Sequence, residues 1–263
     1  MIVRGTAIAL AFLVSASAIA PPAARKVDGA PSFFEPFDRI NPKRWYISDG
    51  WANADWQGCV WTRNEVTVKK GVLQLSLVRS PNPLREYRCA EIRTHARHGH
   101  GIYEARMRTA AGSGLNSNMF TYSGKPLTPV HDEIDFEFLG KNPRTVDLNY
   151  FVSGKGDRTT VEKLPFDASS EFHDYAIVWM PGRIDWYVDG RLVRSALGGA
   201  QPVTSGQLFL SLWNGTKVFN NWLGPFDPAK TPALAEVDWI GFTKIGERCN
   251  FPQSISCTLD PYR

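Results

Sequence analysis

His131–Leu139 reads His-Asp-Glu-Ile-Asp-Phe-Glu-Phe-Leu, and from Glu133 onward its acidic and apolar residues alternate. The acidic set is Glu133, Asp135 and Glu137, and the apolar set is Ile134, Phe136 and Phe138. Alternation with a period of two predicts a half-buried β-strand whose apolar side chains face a core. The three carboxylates then share the opposite face. Because acidic residues are uncommon in strands and like charges on one face repel, this pattern indicates a functional use.

Paired carboxyl groups that flank a sugar linkage are the usual equipment for cleaving a glycosidic bond. On an extended strand the Cα atoms of Glu133 and Glu137 lie about 13 Å apart. Retaining glycosidases hold their carboxyl groups about 5–5.5 Å apart and inverting ones about 6.5–9.5 Å apart, so this spacing leaves the stereochemical outcome open. Asp135 lies between them, where its charge or hydrogen bonds could separate the two Glu pKa values.

Three other interpretations of the motif fit less well. A solvated strand face is one, although acidic residues are depleted in strands. A metal site is another, since hard cations bind carboxylate oxygens, but the spacing and the glycine of an EF-hand are absent. A helix would also place Glu133 and Glu137 on one face, where their like charges would disfavour it.

The chain has 263 residues, 43% hydrophobic and 21% charged, which suits one large all-β domain or two smaller domains. Residues 1–20 have the features of a secretory signal, with Arg4, the apolar run Ala7–Val14 and a cleavage site at Ala16-Ser17-Ala18. This run is shorter than the ~20 residues that span a bilayer. No later segment is long enough either. We expect a secreted protein, extracellular or periplasmic, without a membrane anchor.

The cysteines agree with export. Cys59, Cys89, Cys249 and Cys257 form an even set without a Cys-x-x-Cys pair. Three pairings are possible, of which we favour Cys59–Cys89 and Cys249–Cys257, and buried free thiols are the alternative. Neither the cysteines nor the five His residues have the spacing of zinc ligands. The net charge of +4 comes from scattered basic residues without a basic stripe, so we expect no nucleic-acid partner.

Short β-type runs separated by turn residues follow Phe33, and no helical period is sustained. The runs are Val66–Val68, Val72–Val78, Gly101–Met107, Val146–Val152, Tyr175–Met180, Ile184–Val188, Gln207–Trp213 and Val237–Thr243. Asp189-Gly190 gives the best hairpin signal. The pattern predicts a β-sandwich or barrel, in one domain over residues 33–245. A flexible lead-in at 21–32 would precede it, and a tail at 246–263, stapled by the second cysteine pair, would follow.

Aromatic residues add a second functional indication, since nine Trp is a high number for this length. Five lie near loop or strand-end residues: Trp51, Trp56, Trp61, Trp213 and Trp222. Aromatic planes bind the apolar C–H faces of sugar rings. Side chains that could bind sugar hydroxyl groups are Asn53, Glu91, Arg93, Asn149 and Asn214. Taken singly, each of these residues is more often a core, turn or surface residue.

The segment His131–Gly140 strongly resembles glycoside hydrolase family 16, the retaining β-glucanases. The resemblance extends from about Ser32 to Thr243 and includes Trp186-Tyr-Val-Asp-Gly and Leu212-Trp-Asn-Gly. Bacterial lichenases, which cut β-1,3-1,4-glucans, are similar, and secreted rhizobial glycanases that process succinoglycan are more similar still. The resemblance implies an all-β, concanavalin-like β-sandwich jelly roll of two curved antiparallel sheets, with a concave cleft for a polysaccharide.

Roles for individual residues follow from the same resemblance. Glu133 matches the nucleophile, Asp135 the assisting carboxylate and Glu137 the general acid/base. Substrate-binding positions fall on Trp51, Asn53, Glu91, Arg93, Phe120, Tyr122, Asn149, Phe151, Trp213 and Trp222. We also place His131 among the substrate-binding residues; lichenases carry Trp there, whereas plant xyloglucan endotransglycosylases carry His. The first disulfide of the family matches Cys59–Cys89. A structural calcium would be bound by carbonyl groups near Pro36, Gly71 and Asp238, and no cofactor is expected for catalysis.

These features predict a secreted, monomeric, retaining endo-β-glucanase that acts on a mixed-linkage or succinoglycan-type polysaccharide. Two alternatives stay open. The first is a xyloglucan-type hydrolase or transglycosylase, in which a sugar acceptor replaces water. The second is a non-catalytic lectin on the same fold, which would need the aromatic residues but not three aligned carboxylates.

Overall fold

The computed structural model describes residues 29–126, 128–156 and 158–260. The predicted signal at 1–20 and most of the lead-in at 21–32 lie outside these residues and stay predictions. Within the described part of the chain, no helix is long and apolar enough to cross a bilayer.

Strands make up most of the regular structure. They are β1 (Phe33–Glu35), β2 (Trp45–Ile47), β3 (Cys59–Trp61), β4 (Val66–Lys69), β5 (Val72–Arg79), β6 (Tyr87–Thr94), β7 (Gly101–Arg108), β8 (Leu115–Ser123), β9 (Asp132–Leu139), β10 (Thr145–Phe151), β11 (Thr160–Lys163), β12 (His173–Met180), β13 (Arg183–Val188), β14 (Arg191–Leu197), β15 (Gln207–Asn214) and β16 (Ala233–Lys244). The helices are α1 (Asn220–Leu223) and short 3₁₀ turns at Arg63–Glu65, Lys217–Phe219, Pro228–Lys230 and Ile255–Cys257. Each of the predicted β-type runs overlaps one of these strands.

The strands form two sheets that enclose one hydrophobic core. The cleft sheet has the order β11-β10-β9-β8-β15-β6-β2, and the outer sheet has the order β5-β16-β7-β12-β13-β14, with β4 paired to β5 and β1 to β16. Pairing is antiparallel throughout both. Strand β3 pairs in parallel with the first residues of β6, where β6 also pairs with β5. The predicted β-sandwich jelly roll is therefore confirmed.

The apolar face of β9 packs against the outer sheet, as the alternation predicts. Phe136 and Phe138 meet the ring of Tyr175 on β12 edge to face, with centroids 5.6 and 4.7 Å away. Trp186 on β13 donates a hydrogen bond from its indole nitrogen to the backbone carbonyl oxygen of Asp135, at 3.0 Å. These contacts fix the position of β9 relative to the outer sheet.

The β13–β14 hairpin closes through Asp189 and Gly190, as predicted. Both residues have positive φ, 48° and 73°, which is the conformation that a two-residue hairpin turn requires. Gly tolerates it because it has no Cβ, and Asp is among the few other residues that do.

The C-terminal tail covers part of the outer sheet on the side away from the core. Its predicted disulfide, Cys249–Cys257, is present. Ser254 and the backbone nitrogen of Ile255 both donate hydrogen bonds to the Glu104 carboxyl group at 2.7 Å. Burial under the tail raises the pKa of Glu104 to about 7. Apolar contacts complete the docking, in a cluster of Ile102, Ala176, Val178, Tyr187 and Ile255.

A buried imidazole lies near the start of the outer sheet. His98 is 2% exposed and packs between the rings of Phe33 and Phe242, at 5.3 and 4.6 Å. Neither ring nitrogen has a hydrogen-bond partner among the described residues. Burial, with a smaller contribution from Arg44, lowers the pKa of His98 to about 4. The folded protein therefore holds this ring neutral.

The stability of the fold should depend on His98 in acid. Because its pKa in the folded state is lowered, the stabilisation is present above pH ~6.5 and is lost as the pH falls toward 4. The difference in unfolding free energy between wild type and His98→Phe should change by about 3 kcal/mol across this window. Urea unfolding at several pH values measures it, with exposed His95→Phe as the control. A difference that is constant with pH would contradict this prediction.

Candidate active site

Strand β9 lies inside the cleft sheet, so its carboxyl groups are flanked on both sides. Each has one cross-strand partner on β8 and one on β10. The partners are Tyr122 and Phe151 for Glu133, Phe120 and Asn149 for Asp135, and Asn118 and Asp147 for Glu137. Directly opposed residues on one sheet face have Cβ atoms about 4.5–5.5 Å apart. The sheet register therefore brings the predicted aromatic and amide residues to the acids.

The same register continues across the next two strands. On β15, Phe209 and Ser211 pair with β8 on one side and with β6 on the other. Their partners on β6 are Arg93 and Glu91. These two predicted binding residues consequently lie on the same face as the acids, separated from β9 by β15 and β8.

All these side chains except that of Asp147 line one open cleft of about 1140 Å³. The predicted site residues that line it are Trp51, Asn53, Glu91, Arg93, Phe120, Tyr122, His131, Glu133, Asp135, Glu137, Asn149, Phe151, Trp213 and Trp222. Asn214 is not among the residues lining it, and its suggested role in binding sugar was wrong. Its side chain is buried and lies against Gly58. Asn214 is next to Trp213 on β15, and successive strand residues point to opposite faces.

The carboxyl groups differ in their protonation. Asp135 is 2% exposed, and burial raises its pKa well above the ordinary value, with the charges of Glu133 and Glu137 adding to the effect. Burial also raises the pKa of Glu137 to about 8, and the charge of Glu133 acts in the same direction. Burial and neighbouring like charges thus both favour the protonated forms of Asp135 and Glu137, because adjacent buried carboxylates repel one another.

Two further residues act on Glu137, and neither was predicted from the sequence. Asn116 donates a hydrogen bond from its side-chain nitrogen to Oε1 of Glu137 at 3.3 Å, which opposes the rise in pKa. Asp147 lies opposite Glu137 on β10, and its charge raises the Glu137 pKa. Asp147 also accepts a hydrogen bond from the indole nitrogen of Trp222 at 3.0 Å. Its position two residues before Asn149 places both on one strand face, a signal that was present in the sequence.

Glu133 has a close partner in His131. Nε2 of the imidazole lies 2.6 Å from Oε2 of Glu133. This hydrogen bond is the main cause of a raised His131 pKa. The predicted substrate-binding residue thus contacts one of the acids directly.

Asp132, which the sequence interpretation left without a role, fixes the start of β9. Its carboxyl oxygens accept hydrogen bonds from three backbone nitrogens, those of Ser153 at 2.9 Å, Val203 at 2.9 Å and Thr204 at 3.0 Å. The side chain joins two loops to the strand that carries the acids.

On β6, Glu91 and Arg93 are held by polar neighbours. Ser48 donates a hydrogen bond to Glu91 at 2.5 Å, and burial raises the Glu91 pKa to about 7. Arg93 donates a hydrogen bond to Gln207 and lies over the ring of Tyr46, 4.3 Å from its centroid. Both are thus rigid polar groups facing the cleft, as hydroxyl recognition requires.

One bank of the cleft is the loop from Trp51 to Trp61, whose two terminal indoles meet edge to face at 6.3 Å. Gln57 organises this bank. Its side-chain oxygen accepts a hydrogen bond from the Asn53 side chain at 2.7 Å, and its nitrogen donates to the Cys59 carbonyl oxygen at 3.0 Å. Beneath it the predicted Cys59–Cys89 disulfide is present, and both cysteines are fully buried.

An aromatic cluster forms near Glu137 at one end of the cleft. Trp213 contacts the rings of Trp56 and Trp222, at 5.1 and 6.3 Å, and Phe219 packs against Trp56 and Trp222 at 5.5 and 5.4 Å. Such planes suit the apolar faces of sugar rings.

The predicted calcium-binding positions meet on the outer sheet. β7 occupies one edge of β16, and β1 and β5 pair with successive parts of the other edge. Pro36 follows β1 and Gly71 precedes β5, so both lie at the junction beside Asp238, where β16 carries a bulge. The described residues place no group of three His, Cys, Asp or Glu side chains to bind a metal. Calcium binding by backbone carbonyl oxygens near Pro36, Gly71 and Asp238 stays a prediction.

Comparison with known proteins decides the family. Residues 53–241 match the model of Glycosyl hydrolases family 16. The chain belongs to glycoside hydrolase family 16. It is therefore a glycosidase, and the carboxyl groups on β9 are the residue type that its reaction requires.

Several relatives cover most of this family 16 chain. The endo-1,3-1,4-β-glycanase ExoK of Rhizobium meliloti (strain 1021) is 42% identical over 230 residues, which are 87% of this chain and 85% of the relative. A β-glucanase of Bacillus subtilis (strain 168) is 39% identical over 214 residues, 81% of this chain and 86% of the relative. The solved structure of Bacillus licheniformis β-glucanase is 38% identical, with a TM-score of 0.78, and the match covers 82% of this chain and 99% of that one.

The pKa of Glu137 should depend on Asp147. Asp147→Asn removes the opposing charge but keeps an oxygen that can accept the Trp222 hydrogen bond, so we expect a lower Glu137 pKa. A ¹³C NMR titration of the carboxyl groups measures it. Trp222→Phe is the control, because it removes the hydrogen bond and keeps the charge. A Glu137 pKa that stays near 8 in Asp147→Asn would contradict the prediction.

Proposed function

We propose that this chain is a secreted, retaining endo-β-glucanase that hydrolyses 1,3-1,4-linked β-glucan or a succinoglycan-type polysaccharide by double displacement. The observation that carries the proposal is the division of the β9 carboxyl groups in one open cleft. Glu137, with a pKa of about 8, holds a proton at neutral pH, whereas Oε2 of Glu133 lies 2.6 Å from Nε2 of His131, whose pKa this contact raises. A retaining mechanism needs one carboxyl group that donates a proton and one that attacks as a carboxylate.

In the first step Glu137 gives its proton to the oxygen of the leaving sugar while Glu133 attacks the anomeric carbon. The glycosidic C–O bond breaks, and a covalent glycosyl-enzyme forms. In the second step Glu137, now ionised, takes a proton from water, and the resulting attack releases Glu133 as a carboxylate. Asp135 lies between the two, and burial, with the charges of Glu133 and Glu137, raises its pKa.

The shape of the cleft supports internal cleavage of a long chain. It crosses the cleft sheet from β6 to β10 and is open rather than enclosed. Rigid polar side chains, among them Glu91 and Arg93, and aromatic planes lie along it, so several successive sugar rings can be held. The relative from Rhizobium meliloti is an endo-1,3-1,4-β-glycanase, which supports the linkage, and the relative from Bacillus subtilis is a β-glucanase, which supports the class of substrate. The two disulfides support an oxidising compartment outside the cytoplasm.

Substitution of the two Glu residues tests the roles. Glu137→Ala should lower kcat on polysaccharide by about 10²–10⁴-fold and spare substrates with good leaving groups, because these need no proton. Glu133→Ala should lose cleavage of both substrates. In wild type, kcat/KM on polysaccharide should fall as the pH rises through about 8, where Glu137 loses its proton. Exposed Glu171→Ala is the control, and normal turnover of polysaccharide by Glu137→Ala would refute its role.

Product analysis separates the proposed hydrolysis from transglycosylation and from binding alone. Barley β-glucan, succinoglycan and xyloglucan are each incubated with the protein, with and without an added oligosaccharide acceptor, and the products are sized. Shorter chains with new reducing ends support hydrolysis. Chains lengthened by the acceptor would support transfer, and unchanged polymer in every case would support a lectin.

We also propose a structural calcium at the junction of β1, β5 and β16. Binding to the folded state alone stabilises a protein by about 4 kcal/mol at a thousand times the Kd. Added Ca²⁺ should therefore raise the melting temperature of chelator-treated protein, and Mg²⁺, which demands a smaller and more regular site, should not. Calorimetry measures the shift. Equal melting temperatures with chelator and with Ca²⁺ would argue against the site.

A further inference from the structure

The imidazole of His131 is held by the same residues that flank Glu133. Its ring stacks on Phe151 with centroids 5.1 Å apart and planes 17° apart, and it lies 5.0 Å from Tyr122. Phe151 and Tyr122 are also the two cross-strand partners of Glu133. One aromatic pair therefore orients both members of the His131–Glu133 contact.

The backbone on both sides of the imidazole is fixed as well. The His131 carbonyl oxygen accepts a hydrogen bond from the Gly154 nitrogen at 2.7 Å. The next residue, Asp132, donates one from its backbone nitrogen to the Ser123 hydroxyl oxygen, at 3.1 Å, and its carboxyl group accepts three more. A side chain that only contacted a flexible substrate would not need these backbone hydrogen bonds.

The charges around the imidazole favour its cationic form. Glu133 and Asp132 face it from its own segment, and Tyr122, whose hydroxyl pKa is raised by burial and by Glu133, faces it from β8. Phe151 from β10 is apolar. Lys125, in the loop between β8 and β9, lines the same cleft. The immediate neighbours thus contribute more negative than positive charge.

We propose that His131 is a positioning residue that acts through Glu133, donating a hydrogen bond from Nε2 to Oε2 that stabilises the carboxylate as it leaves the glycosyl-enzyme. This inference rests on the proposed double displacement. It assigns to His131 a role in the second step, in addition to any contact with the substrate.

Charge flow in the two steps decides which one His131 assists. During glycosylation, negative charge on Glu133 decreases as Oε1 forms the new bond, so a cation at Oε2 stabilises the starting state most. During deglycosylation, the C–O bond to Oε1 breaks and the electron pair returns to Glu133 while Glu137 accepts the proton of water. A preorganised donor aimed at the developing charge lowers this second barrier. His131 therefore accelerates release of the intermediate and not its formation.

A kinetic split tests this inference. With a dinitrophenyl glycoside of a short 1,3-1,4-β-glucan oligosaccharide, the first step is fast and kcat reports the second. His131→Phe keeps a ring against Phe151 but loses the donor, so kcat and KM should fall together by about 10- to 100-fold, the effect of one hydrogen bond to a charged group. The pre-steady-state burst of dinitrophenolate should keep its rate, while the steady-state rate that follows it falls. His131→Gln, which restores an N–H donor, should recover part of kcat.

The matched control is a second His–carboxylate pair outside the cleft. His173 lies 2.8 Å from Asp189 on the outer sheet, and His173→Phe should leave kcat and KM unchanged. An imidazole titration by NMR gives a readout independent of turnover: the His131 pKa should be lower in Glu133→Gln than in wild type. An unchanged His131 pKa would show that the pair does not interact and would overturn the inference.

Other kinetic outcomes also overturn it. A higher KM at constant kcat in His131→Phe would leave only a substrate contact, and a lower kcat/KM would place the effect in the first step. These failures are distinct from failure of the proposed function. If Glu133→Ala still cleaves the aryl glycoside, the double displacement itself is wrong, whatever His131 does.

Discussion

Three carboxyl groups on one face of a single strand repel one another, and the site is organised around relieving that repulsion. Burial raises the pKa values of Asp135 and Glu137, and His131 lies in hydrogen-bond contact with Glu133. Carboxyl groups on this strand thereby acquire pKa values well above those of exposed acids. The roles proposed for Glu133 and Glu137 require one acid on this face to keep its proton.

Packing on the other face of β9 offsets the unfavourable free energy of placing three carboxyl groups on one strand face. On the far face of β9, Phe136 and Phe138 pack against Tyr175, and the Trp186 indole bonds to the Asp135 carbonyl oxygen. These interactions lie in the core and do not depend on ionisation. The strand is therefore held by apolar packing on one side while its other side carries groups that an isolated strand would not tolerate together.

Features that depend on the local residue period or on a motif could be predicted from the sequence. The alternation after His131 predicted β9 and the common face of its acids, and the resemblance to family 16 predicted the residues that line the cleft. Asn116 was missed because its contact with Glu137 comes from cross-strand register, which a single strand pattern does not contain. The face of Asp147 could be read from its spacing to Asn149, but its place opposite Glu137 also depends on register. Gln57 was missed because it acts through hydrogen bonds within a loop, where no residue period applies. Asn214 was misassigned for a related reason: its neighbour Trp213 faces the cleft, and alternation turns Asn214 to the opposite side.

The bank of the cleft between Trp51 and Trp61 has a support of its own. Gln57 and the buried Cys59–Cys89 disulfide connect this loop to β6. The acids lie on β9, which is separated from β6 by β8 and β15. Replacements within this loop can alter which polymers are admitted without moving the bond-breaking apparatus. Specificity and catalysis can therefore diverge independently during evolution, so homologues can act on different polymers while they retain the same acidic strand.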